Sequence, residues 1–317
     1  MKITEHIKKA ELAKIPTFSY EIVPPPRGRT IQDIIDSVEA VKPFNPAWID
    51  VTSHASNAYF NEKPDGTIQK KILRKRPGTL GICGVIQNRF RVDTVAHILC
   101  KGFTKEETED ALIELNYLGI HNVLALQGDS PNHIKDKLKV EAANEYASDL
   151  VQQVVDLNAG KFLDDINSGA SFDFCVGVAG YPEKHFEAAN LQTDIEYLKK
   201  KVELGAEYIV TQMFFDNTKF HRFVELCRDS GIKVPIIPGI KILKNANQLK
   251  TLPKNFYIDI PMELADEISK NPAHANEIGI RWSQMQVDDL IKSGHQNVHF
   301  YIMNDSKNVV EVVKKFN

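Results

Sequence analysis

Apolar residues in this chain cluster into short, nearly continuous runs, and helix-period stretches of mixed polarity separate them. One unit recurs. A helical segment ends in a small turn at glycine, and an apolar, β-branched run follows within a few residues. It is seen as LGIHNVLALQGD from Leu118, LGAEYIVTQMFF from Leu204, SGIKVPIIPGI from Ser230 and SGHQNVHFYIM from Ser293. The glycine suits the left-handed residue that ends a helix. The runs lack the strict alternation of a half-exposed sheet, as parallel strands covered on both faces do. Similar runs at 18–22, 48–53 and 94–100, and one near 174–178, predict further strands. Thr104 with Glu107, and Thr193 with Glu196, have capping-box spacing. The stripes Leu112, Leu115, Leu118 and Ile195, Leu198, Val202 follow them at helical period.

Some eight strands alternating with helices predict an α/β fold, a (β/α)8 TIM barrel. An open, doubly wound sheet is disfavoured, because no GxGxxG or GxxxxGK[ST] follows a strand. Residues 1–317 read as a single barrel catalytic domain with an extra amphipathic helix at the N-terminus. The polar stretches 57–78 and 130–144 read as long active-site loops, and 160–172 as a surface insertion.

At 317 residues and 43% hydrophobic, the chain can bury one large core. Its net charge of −3 gives no reason to expect nucleic acid or an anionic membrane as partner. No stretch approaches the ~20 apolar residues of a membrane span, and MKITEHIKKAELAKIP lacks an apolar signal core. A cytoplasmic protein acting on a small molecule is expected. Cys83, Cys100, Cys175 and Cys227 form no CxxC pair and read as buried free thiols. The basic run Lys70, Lys71, Arg74, Lys75 and Arg76 lacks interleaved aromatics and reads as a solvated face.

Barrel enzymes carry their chemistry at the C-terminal ends of the strands. There the sequence puts Glu21, Thr52, His97, Gln127-Gly128-Asp129, Tyr181 with His185 beyond it, and Gln212. Glu21, followed by Ile22, Val23 and three prolines, reads either as an acid of raised pKa or as a solvated strand-end glutamate. His97 alone reads first as a core histidine, and Asp129 after Gly128 equally as a turn former. Their coincidence at one end predicts a ring lining a large polar ligand.

The chain resembles the methylenetetrahydrofolate reductase family in its short form. The resemblance is carried in order by SYEIVPPP, DVTS, AHILC, LALQGDSP, EYASDLV, GYPEKH, VTQMFFD, IIPGI and HFYIMN. It implies a (β/α)8 flavoenzyme that uses FAD and a nicotinamide donor, NADH or NADPH, to reduce 5,10-methylenetetrahydrofolate by ping-pong hydride transfer. Glu21 then looks like the general acid, Asp129 like the carboxylate near flavin and pterin, and Gln212 like the pterin-contacting amide. Thr52, His97, Gln127, Gly128, Asp129, Tyr146, Ala147, Tyr181, His185, Asp194, Lys200 and Lys201 fall where the family holds FAD. Lys200 and Lys201 are expected together at the pyrophosphate. A homo-oligomer is implied as well, the family being often oligomeric. The chain departs from the family at Gln127, where arginine is common, at His54 for glycine and at Tyr197 for asparagine. Another pterin- or phosphate-binding barrel, such as a methyltransferase or an aldolase with a Schiff base on Lys201, is disfavoured because that lysine lies on a helix. A catalytically dead barrel is disfavoured by the joint presence of Glu21, Asp129 and Gln212.

Overall fold

The computed structural model describes residues 1–55, 57–73, 76–128, 143–166, 169–303 and 306–316. Its strands are β1 (Thr17–Ile22), β2 (Ile49–Val51), β3 (Asn57–Glu62), β4 (Ile68–Leu73), β5 (Thr94–Leu99) and β6 (Asn122–Leu126). They continue with β7 (Cys175–Gly180), β8 (Tyr208–Thr211), β9 (Ile236–Ile237), β10 (Gly239–Ile240) and β11 (Asn297–Met303). The main sheet runs β10-β11-β1-β2-β5-β6-β7-β8-β9 with every neighbour parallel. β9 and β10 are two halves of one strand, broken at Pro238, whose carbonyl accepts the His299 N–H at 2.9 Å. β9 pairs with β8 and β10 with β11, so the sheet closes as an eight-stranded barrel. All eight expected strands are present.

Closure divides the side chains by parity. Outward residues such as Tyr20, Val51, Ala96, Val123, Val176 and Ile209 join the core beneath the surrounding helices. In the lower barrel, Trp48, Val95, Leu124, Cys175, Tyr208, Val210 and Ile237 form a second cluster, closed from below by Ile3 and Ile7. Those two belong to the helix Ile3–Ala13, which is anchored where the Ile3 N–H donates to Asn122 Oδ1 at 3.0 Å. The N-terminal helix therefore stoppers one end of the barrel.

Other expectations fare unevenly. Thr104 and Glu107 do cap the helix Lys105–Tyr117 reciprocally, at 3.1 and 2.9 Å. The second capping box does not form. Asn190 is the cap of Leu191–Glu203, accepting the Thr193 N–H at 2.9 Å, and Thr193 lies inside the first turn. The expected loop at 57–78 is mostly the antiparallel hairpin β3–β4. Pro64-Asp65-Gly66 makes its turn, with Asp65 Oδ1 accepting the Thr67 N–H at 2.9 Å. The basic run falls partly on β4, while Arg74 and Lys75 lie outside the described residues. Most of the 130–144 loop lies outside them too. The 160–172 segment does pack, its Phe162 and Phe172 rings meeting edge-on at 5.8 Å against the core. All four cysteines are buried free thiols. Among the described residues no helix is long and apolar enough to cross a membrane.

The Tyr208 ring can lie across the barrel only because β7 offers no side chain at Gly177. A Cβ there would sit 2.2 Å from Tyr208 Cζ, and that ring is fully buried. Gly177→Ala is expected to destabilise the fold by about 2 kcal/mol or more. Urea unfolding checks this, and Tyr208→Leu in the same chain should recover part of the loss.

Candidate active site

The pleat aims alternate residues of each strand into the barrel, and in the upper half those residues are polar. Ser19 and Glu21 come from β1, Asp50 from β2, His97 from β5, and His299 and Tyr301 from β11. The β1–β11 register runs regularly to Glu21↔Tyr301 and then slips, Ile22 pairing with Met303. A bulge at this point re-aims the strand ends beside Glu21.

Glu21 faces inward with 13% of its side chain exposed, its Oε2 3.8 Å from His97 Nε2. The same His97 nitrogen is 3.4 Å from Asp50 Oδ1. Asp50 Oδ2 is 3.7 Å from His299 Nδ1, which shares a 2.9 Å hydrogen bond with Ser19 Oγ. Lys241 is buried, and its ammonium donates to the Tyr301 carbonyl at 2.6 Å. The Tyr301 hydroxyl donates to the Thr211 carbonyl at 2.5 Å.

Burial raises the Glu21 carboxyl to about 7, against the opposing pull of His97 and with a further push from Asp50. Burial works to lower His97 but is outweighed by Asp50 and Glu21, so its pKa rises. Burial pushes His299 down. Near neutral pH this carboxyl is thus divided between an acid that can give a proton and a base that can take one.

The expected ring around the mouth is assembled in part. Thr52 follows β2, and its Oγ1 is buried without a hydrogen-bond partner among the described residues. Gln127 and Gly128 follow β6, where the Gln127 carbonyl accepts the Lys101 N–H at 2.9 Å and Gly128 takes a φ of +83°. Asp129 lies outside the described residues. Gln212 follows β8, and its Oε1 accepts the Met213 N–H at 2.9 Å, which fixes the plane of the amide. Tyr146 and Ala147 start the helix Ala147–Asn158, with Tyr146 exposed.

On the β7 side, Tyr181 meets His185 edge-on at 4.7 Å. The His185 N–H donates to Asp194 Oδ2 at 2.8 Å. Burial lowers His185 and raises Asp194. Lys201 reaches in from Leu191–Glu203 to the Ala179 carbonyl at 3.2 Å. Burial draws its ammonium down to about 8, with Asp194 opposing. Lys200 does not join it and is exposed. Adjacent helix residues project about 100° apart, so only one lysine can face the barrel. The residues not singled out from sequence are Asp50, His299, Ser19, Lys241 and Tyr301. Strand parity was the signal for them: Asp50 shares its face with Thr52, and Ser19 with Glu21.

A family profile described as methylenetetrahydrofolate reductase matches residues 2–317. Methylenetetrahydrofolate reductase 1 of Schizosaccharomyces pombe is 31% identical over 321 residues, covering 99% of this chain and 48% of that protein. The 5,10-methylenetetrahydrofolate reductase of Escherichia coli is 29% identical over 289 residues, covering 90% of this chain and 86% of that one. The chain thus spans about half the length of several curated relatives it matches. Among solved structures, it is similar to an uncharacterized protein from Clostridium thermocellum that binds two copies of 5-methyl-5,6,7,8-tetrahydrofolic acid. The TM-score is 0.57 at 12% identity, with 98% of each chain covered, a likeness of fold.

The Glu21 environment has a cost that pH reveals. A carboxyl moved from 4.5 to about 7 takes up a proton on folding. The stability this gives is whole below pH 4.5 and is lost as pH rises through about 7. Glu21→Gln removes the ionisation, so it should be more stable than the parent by about 1–3 kcal/mol at pH 8. The difference should vanish near pH 4. Urea unfolding at both pH values measures it, and equal stability at pH 8 contradicts a raised Glu21.

Proposed function

The chain belongs to the methylenetetrahydrofolate reductase family, and on that premise we propose that it reduces 5,10-methylenetetrahydrofolate to 5-methyltetrahydrofolate, with FAD as cofactor and a nicotinamide dinucleotide as donor. The observation that carries the reading is Glu21, a carboxyl near pKa 7 at the end of β1 and beside the mouth.

The residues present fit a flavin dinucleotide. Thr52 Oγ1 and His97 Nε2 are buried polar atoms without hydrogen-bond partners among the described residues. Gly128, at φ +83°, keeps a β6 strand-end turn narrow. Lys201 supplies a half-buried cation suited to a phosphate, and Asp194 an acceptor suited to a ribose hydroxyl. Gln127, Tyr146, Ala147, Tyr181 and His185 complete the proposed FAD contacts. When bound, the flavin supplies the hydride chemistry.

The protein's part is acid–base and electrostatic. The substrate's five-membered ring must open to an iminium cation before it accepts hydride, and opening needs a proton on the departing amine. Glu21 holds that proton on its carboxyl. Gln212, its carbonyl oxygen already engaged by the Met213 N–H, turns its amide donors toward the pterin. Asp129 is proposed as the negative charge that stabilises the cation. With the lower end stoppered by the N-terminal helix, donor and folate share one opening and use it in turn.

Two measurements test the reading. In stopped flow, Glu21→Gln should leave flavin reduction by the donor nearly intact and slow folate reduction by roughly 10²–10⁴-fold. In the parent, folate reduction should decline as pH rises through about 7, because the acid is then ionised. Loss of both half-reactions by the same large factor would make Glu21 a structural residue. For the shared mouth, initial-rate plots at several fixed donor concentrations should be parallel, and intersecting lines contradict alternating occupancy.

A further inference from the structure

Asp50 has no place in the chemistry so far, and its surroundings are costly. Its side chain is 1% exposed, and neither carboxylate oxygen has a hydrogen-bond partner among the described residues. A buried carboxylate normally has either a cation or several donors. Two imidazoles flank this one, His97 at 3.4 Å and His299 at 3.7 Å. Of these, His299 already shares its Nδ1 with Ser19 Oγ, and burial favours its neutral form. His97 is the one that gains a charge. It is also 3.8 Å from Glu21, so two inward carboxyls compete for one imidazolium.

We propose that Asp50 is a positioning residue that keeps the proton on Glu21, by serving as the counter-ion of His97. The inference rests on the reading of Glu21 as the acid. One imidazolium compensates one carboxylate, and a second ionised carboxylate in the same enclosed space is left uncompensated. Asp50 is nearer to His97 and has a second imidazole beside it, whereas Glu21 stands farther off and reaches the mouth. The charge therefore rests on Asp50 and the proton on Glu21. Without Asp50, the imidazolium has Glu21 alone to pair with. Glu21 then ionises and is spent as an acid at neutral pH.

The other groups facing this cluster fit that division. Lys241 also favours ionised Glu21, but its ammonium donates to the Tyr301 carbonyl at 2.6 Å on the β10–β11 side. Burial, with Asp50 adding to it, raises the Tyr208 and Tyr301 hydroxyls and the Cys83 thiol, so all three stay neutral. His299 stays neutral as well. Glu21 is left as the group of this cluster that gains and loses its proton near neutrality, with His97 held charged beside Asp50. After Glu21 has given up its proton, two carboxylates face one imidazolium. That imbalance draws a proton back to Glu21 from the mouth.

The test uses two variants with opposite expected signs, made in the flavin-loaded enzyme. Asp50→Asn should move the alkaline decline of folate reduction down by at least one pH unit, a tenfold weakening of proton binding at Glu21. His97→Gln removes the competing cation and should move that decline up. The protonated-carboxyl C=O stretch, followed by infrared titration and assigned by its loss in Glu21→Gln, should shift in the same two directions without any turnover. A merely structural Asp50 would change rates or stability and leave both midpoints in place. If the parent shows the Glu21 midpoint and neither variant moves it, or both move it the same way, the proposal is overturned. Should Asp50→Asn fail to fold, Asp50→Ser, which removes the same charge, is read in its place and should show the same downward shift. A parent without that midpoint, or a Glu21→Gln enzyme at full rate, instead removes the acid assignment on which the proposal rests.

Discussion

Closure of an all-parallel sheet governs this molecule. Once β9 and β10 hand the sheet from β8 to β11 across Pro238, no edge remains, and each strand side chain goes either to the helix layer or to the interior. The helix layer takes the bulk of the apolar residues. The interior is narrow, and every group placed there is held by neighbours on several strands at once. Glu21 and its surroundings are positioned in this way, from β1, β2, β5 and β11, without dependence on any one loop.

The interior is also graded along its axis. Below, aromatic and aliphatic side chains pack against the N-terminal helix and exclude water. Above, the same strand faces carry Ser19, Asp50, His97, His299 and Glu21, whose polar atoms are enclosed by that apolar floor. A carboxyl at this boundary is desolvated from beneath and open from above. Its proton affinity can then be raised by burial while the proton keeps a route in and out, a combination that neither a deep core nor an open surface provides.

Four of the strands were readable because a helix end, a glycine and an apolar run announced each, three signals that agree, and the other four were readable from the apolar run alone. At Glu21 the local pattern leaves an acid of raised pKa and a solvated strand-end glutamate both open, and the family resemblance is what implies the acid. Other features depended on information outside the local pattern. The hairpin reads as a loop from sequence although Pro64-Asp65-Gly66 is good turn chemistry, because Lys, Gln, Asn and Glu interrupt its apolar positions and make 57–78 look like one polar stretch. Asn190 displaced Thr193 as a helix cap because both carry a side-chain acceptor, and only the backbone decides where the helix begins. Asp50 was visible within DVTS but had no assigned role. Its importance comes from His97 and His299, which lie 47 and 249 positions away in the numbering and meet it only through closure.

The four thiols are spread around the wall, and each is closed off. Cys83 and Cys227 sit in helices and Cys100 and Cys175 at strand ends, all buried. Burial lifts Cys100 and Cys227 to about 12 and Cys175 to about 11, so none is a ready nucleophile in the folded state. Reaction with a thiol reagent must then wait for the surrounding wall to open. The native chain carries its own set of local clocks: the labelling rate at each cysteine reads out how often that sector of the barrel breathes, with no probe engineered into it.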